Sequence, residues 1–114
     1  MLITASEQFN KQQYLAAITT LHQIQEAEKE LPKVALLKGQ CYLQLNQVEP
    51  AIESFQTVLN HPSGDYRSVA IWYQALAYLR ANQLEKGKQL LQEIINQKYP
   101  VASKASELLR RMEN

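Results

Sequence analysis

The chain has 114 residues, 46% of them hydrophobic and 20% charged, which is enough to bury a core without disulfides or metals and far from the disordered class. Three glycines and four prolines are too few turn-formers for a sandwich of many short strands, so composition leans helical. Twelve basic against eleven acidic residues give a net charge of +1, without the one-sided basic excess typical of a nucleic-acid binder.

In chain order, the N-terminal Met1-Leu2-Ile3-Thr4-Ala5-Ser6 has neither a basic leader nor a long apolar stretch, so no secretory signal is expected. No apolar run approaches the ~20 residues that span a bilayer. Tyr14, Ala17, Ile18, Leu21 and Ile24 then fall at the helical period. Pro32 opens a helix expected over about Lys33 to Leu45. Val48, Ala51, Ile52, Phe55, Val58 and Leu59 make the stripe of the next, with Pro50 in a first turn where its missing N–H loses no bond. His61-Pro62-Ser63-Gly64-Asp65 breaks the chain.

A helix from about Arg67 to Ala81 follows, then one whose stripe is Leu84, Gly87, Leu90, Leu91, Ile94 and Ile95. Beyond Tyr99-Pro100, a final amphipathic helix puts Ala102, Ala105, Leu108, Leu109 and Met112 on its apolar side and Lys104, Glu107, Arg110 and Arg111 on its wet side. The basic cluster of Lys98, Lys104, Arg110 and Arg111 is interrupted by Glu107 and Glu113 and suits a solvated helix end, where the dipole favours cations.

The chain also aligns on itself. An offset of 36 carries Gly39 to Ala75, Tyr42 to Tyr78, Asn46 to Asn82 and Phe55 to Leu91, and an offset of 34 in the other direction carries Ala51 to Ala17 and Phe55 to Leu21. Three copies of a helix pair result, the first short at its front. The division expected is 1–31, 32–65 and 66–99, closed by a capping helix over 100–114. Small residues recur in both helices of a pair, Gly39 with Ala51 and Ala75 with Gly87.

Gly39, Tyr42, Ala51, Phe55 and the nearby Pro62, with Tyr78 in the next copy, resemble the W-x2-L-G-x2-Y…A-x3-F…P pattern of tetratricopeptide repeats. Lys38 and Gln74 stand where that family prefers leucine, and Trp72 lies one residue late. The resemblance implies an all-α, right-handed superhelix of about three helix pairs in a single domain, used as a non-enzymatic protein-binding scaffold. It also implies that Gly39 and Ala51, and Ala75 and Gly87, lie where paired helices cross, so Gly39→Leu should overpack a crossing while Gly87→Ala should be neutral or stabilising. Residues 70–79 and the final helix also resemble the ends of certain bacterial repeat proteins. Those are often longer chains with a membrane anchor before the repeats, so the compartment stays open between cytoplasm and a membrane-anchored envelope protein.

Catalysis needs convergent polar groups. His22 and His61 lie far apart in sequence, Cys41 is the lone cysteine and reads as a small buried hydrophobe, and no CxxC or HExxH spacing occurs. No enzyme activity, cofactor or metal is expected. The family's carboxylate clamp maps to Leu2, Ser6, Leu37, Val69 and Tyr73, none with a suitable donor array. The resemblance places Leu36, Gln40, Leu43, Trp72, Tyr73, Leu76, Leu79 and Arg80 along the concave side, an apolar groove for a partner peptide or helix. No nucleic acid or direct membrane insertion is expected. The alternative is a structural module that self-associates or packs on the rest of a longer chain.

Overall fold

The computed structural model describes residues 1–113. Seven α-helices follow one another: α1 (Leu2–Asn10), α2 (Tyr14–His22), α3 (Pro32–Gln44), α4 (Val48–Asn60), α5 (Arg67–Arg80), α6 (Leu84–Asn96) and α7 (Ala102–Glu113), with a 3-10 turn at Glu26–Glu28 between α2 and α3. No strand occurs among the described residues. Helix α1 is real but short, nine residues against 13 in α3 and 14 in α5.

None of the first six helices has a side-chain hydrogen bond at its N-cap, so their stability rests on packing of apolar faces. The C-termini of α1, α3 and α5 share a device instead. Gln12, Asn46 and Asn82 occupy the same place in successive pairs and all adopt left-handed backbone (φ 62°, 60° and 62°). This lets the next amide reach back five residues: Gln13 N–H to the Gln8 carbonyl (2.8 Å), Gln47 to Tyr42 (2.8 Å) and Gln83 to Tyr78 (2.9 Å). That closure satisfies orphan carbonyls and fixes the tight turn into the second helix of each pair. Asparagine tolerates this conformation better than most residues, and two of the three positions carry it.

Each helix packs chiefly on its sequence neighbours, the nearest-neighbour arrangement of a helical repeat. Three cores result, two shared by consecutive pairs and the third by the last pair and α7. The first joins Ala5 of α1, Ile18 and Leu21 of α2, and Val34, Leu37 and Cys41 of α3. The second joins Leu36 and Leu43 of α3, Phe55 and Val58 of α4, and Ala70 and Ala77 of α5. The third joins Ile71 and Ala75 of α5, Leu91 and Ile94 of α6, and Ala105 of α7. Ala5, 34 positions before Gly39, is the first pair's small crossing residue.

The close approaches hold specific atoms. A Cβ on Gly39 would meet the buried Phe55 ring, with Cδ1 at 2.7 Å, and one on Gly87 would meet Leu79, with Cγ at 2.8 Å. That second contact opposes the gain in helix propensity expected of Gly87→Ala, because Leu79 must turn aside to admit the methyl. Gln74, standing where the family prefers leucine, is only 2% exposed. Its Nε2 donates to the Ile52 carbonyl (3.2 Å) and to Gln56 Oε1 (3.1 Å), tying α5 to α4 and satisfying a polar group that would otherwise be costly to bury.

Candidate protein-interaction surface

The first helices of the pairs, α3 and α5, carry one stripe in register. The 36-residue offset sets Leu36, Gln40 and Leu43 beside Trp72, Leu76 and Leu79. The two halves have different fates. Leu36 and Leu43 are 9% and 3% exposed, because Ala70, Tyr73 and Ala77 of α5 close over them in one cluster. They are core, and the expectation that they face a groove is corrected. Tyr73 stacks on Phe55 (centroids 5.9 Å apart, planes 19°). Arg80 Nη1 donates to the Leu43 carbonyl at 2.6 Å, capping the end of α3. Leu79 covers Gly87. Tyr73 and Arg80 thus tie adjacent repeats together and Leu79 packs within the third, which leaves Gln40, Trp72 and Leu76, all half-buried, as the members of the expected groove without such a contact.

What faces Trp72 and Leu76 follows from the same register. The stripe that meets the preceding first helix is Val34, Leu37, Cys41 in α3 and Ala70, Tyr73, Ala77 in α5. A further 34 positions on, it is Lys104, Glu107, Arg111 in α7. Two apolar stripes are thus followed by a charged one, and α7 cannot seal α5 as α5 seals α3. Trp72 packs partly on the third core but keeps an open depression on either side. One, of about 280 Å³, is lined by residues including Val69, Trp72, Tyr73, Val101 and Lys104. The other, of about 260 Å³, is lined by Trp72, Leu76, Lys104, Glu107, Leu108 and Arg111.

Val69, Lys104, Leu108 and Arg111 line these depressions and were not among the groove residues expected from the sequence. The broken stripe in the last helix was the signal for the charged members.

Charge is also distributed unevenly between helices. Across α3, α5 and α7 stand Lys33, Lys38, Arg67, Arg80, Lys104, Arg110 and Arg111, against only Glu107 and Glu113, whereas α4 carries Glu49 and Glu53 and no base. The net charge of +1 conceals this polarity. Glu107 is bound to Arg111 (2.8 Å) in an exposed pair, the kind worth roughly 0–1 kcal/mol.

The remaining polar groups have ordinary roles. Cys41 is buried and unpaired, and burial pushes its thiol up to about 11, so at neutral pH it is a thiol rather than a nucleophilic thiolate. His22 Nε2 lies 3.0 Å from the Tyr42 hydroxyl; partial burial, then Lys38 and Lys29, hold the imidazole below its usual pKa. A third depression, of about 300 Å³, is lined by residues including Glu26, Lys29, Glu30 and Lys38. Burial first, then Lys29, lowers the Lys38 pKa, and Glu26 opposes this. Among the described residues, no three His, Cys, Asp or Glu side chains are grouped to hold a metal, and no helix is long and apolar enough to cross a membrane.

Comparison with known proteins agrees with this architecture. The sequence model of the tetratricopeptide repeat matches residues 34–63 and 69–100, more than half of the chain, and the chain belongs to that family. Such repeats generally mediate protein–protein interaction and are typically non-enzymatic. No curated protein and no solved structure matched.

Proposed function

We propose that this chain is a non-enzymatic scaffold that holds a partner peptide or helix against its first helices, with contact centred on Trp72 and Leu76 and flanked by Gln40, Val69 and the facing side of α7. The observation that carries this reading is the contrast between equivalent stripes. Leu36 and Leu43 are sealed by the next helix, while Trp72 and Leu76 face charged residues and open space. A half-covered tryptophan beside leucine is the kind of anchor that concentrates binding energy at interfaces.

Peptides selected from a displayed library on the wild-type protein provide the test. Trp72→Ala should keep its helicity and melt within a few degrees of the parent. Selected peptides should lose at least about tenfold in affinity, since truncating an interface anchor costs roughly 2 kcal/mol or more. Peptides that bind the variant as well as the parent would place the binding surface elsewhere.

A second reading, self-association or packing on another segment, draws support from Ile3, which is 76% exposed at the register position of Leu37 and Tyr73. Glu7, at the register position of Cys41 and Ala77, shares its stripe and opposes a dry contact there. Mass measured over rising concentration separates the two readings.

A further inference from the structure

We infer that the partner presents an acidic segment with a bulky apolar side chain to the seam between α5 and α7, the apolar group entering beside Trp72 and the carboxylates meeting Lys104 and Arg111. This rests on the groove reading above and adds the chemistry of the occupant. The seam has one apolar wall and one charged wall. On the α5 side stand Trp72 and Leu76, with Leu108 reaching across from α7.

On the α7 side, Lys104 lines both depressions beside Trp72 and forms no ion pair among the described residues. Arg111 is held only by its exposed pair with Glu107, a partner that an incoming carboxylate can replace at little cost. Taken together, α3, α5 and α7 carry seven basic residues against two acidic ones, a balance that favours the approach of negative charge. An apolar wall beside these cations lowers the local dielectric and strengthens their attraction for a carboxylate.

A neutral apolar helix would leave Lys104 without a partner in the closed contact, which is costly. A basic peptide would be repelled. A nucleic acid fits less well than a peptide. Tyr73 is already stacked on Phe55, so a single half-covered indole remains for stacking, and Glu107 and Glu113 lie on the helix that a phosphate backbone would approach.

Trp72 is the only tryptophan, so its emission reports the seam directly. The probes are three synthetic peptide pools of equal length without tryptophan, each with the same Leu-x-x-Phe core. Their flanks are Asp/Glu, Ser/Asn or Lys/Arg, and a single-stranded oligothymidine is the fourth probe. The acidic pool should bind at least about tenfold tighter than the neutral pool at low salt, shift Trp72 to the blue, and lose part of its advantage as salt screens the charges. Lys104→Glu, an exposed change, should abolish the preference. Lys11→Glu, the same charge change at the far end of the chain, should keep it.

A neutral pool that binds as tightly as the acidic one and moves Trp72 overturns the acidic inference and leaves the groove reading standing. Failure of every pool to perturb Trp72 overturns both. An acidic preference that survives Lys104→Glu removes the seam as its origin, and tighter binding of oligothymidine than of the acidic pool replaces the peptide with a nucleic acid.

Discussion

A chain ending at Pro100 is expected to aggregate or lose much of its helicity. Helix α7 covers the third core: Ala105 is fully buried against it, and Leu108, Leu109 and Met112 are partly buried on Ile71, Leu91 and Ile94. Burying a large apolar side chain completely is worth about 1.5–3 kcal/mol. Losing these partial contacts, and exposing the surface beneath them, therefore costs on the order of 3–5 kcal/mol. Against a total stability of about 5–15 kcal/mol, that is a large share. The exposed face of the last pair would also be free to find a second molecule. Circular dichroism and sedimentation of the truncated chain check this, and a monomer melting at the parent temperature would show that α7 is not a cap.

Gly39→Leu is the point substitution with the largest expected effect. The position for its side chain is occupied by the Phe55 ring, which is completely buried and stacked with Tyr73. The fully buried Phe55 ring has no solvent to retreat into, so the cost should reach about 3 kcal/mol, the upper end for overpacking. Gly87→Ala makes the instructive contrast. Its methyl also meets a side chain, but Leu79 is partly exposed and can turn away. The gain in helix propensity, up to about 1 kcal/mol, is offset by that displacement, and stability should stay within about 1 kcal/mol of the parent. Urea melts that rank the two variants the other way would show the helix register to be wrong.

The helices and their register were legible in the sequence because both leave periodic marks. Gly39 and Ala75, Tyr42 and Tyr78, and Asn46 and Asn82 repeat at one offset, and the structure places each pair equivalently. The extent of the groove was not legible. Whether Leu36 and Leu43 face solvent depends on how closely α5 lies over α3, and hence on side chains one repeat away, Ala70 and Ala77, small enough to let the helices meet. Helical periodicity reports which side of a helix is apolar, not how far the next helix reaches across it.

The charged side of α7 was read as a wet face, and it is also the wall opposite Trp72. Only superposition of Lys104, Glu107 and Arg111 on Ala70, Tyr73 and Ala77 shows that double role. In α1 the equivalent positions are Ile3 and Glu7, one apolar and one charged.

Collisional quenching of Trp72 tests most directly whether the seam is an open binding surface. In the free, folded protein its emission should be quenched by acrylamide to a degree between those of a buried and a free indole. Addition of a selected peptide should reduce the quenching and move the emission to the blue. An emission that is already blue and unquenched in the free protein, and that no peptide alters, would contradict this: Trp72 would be core beneath α7, and the seam would have no room for a partner.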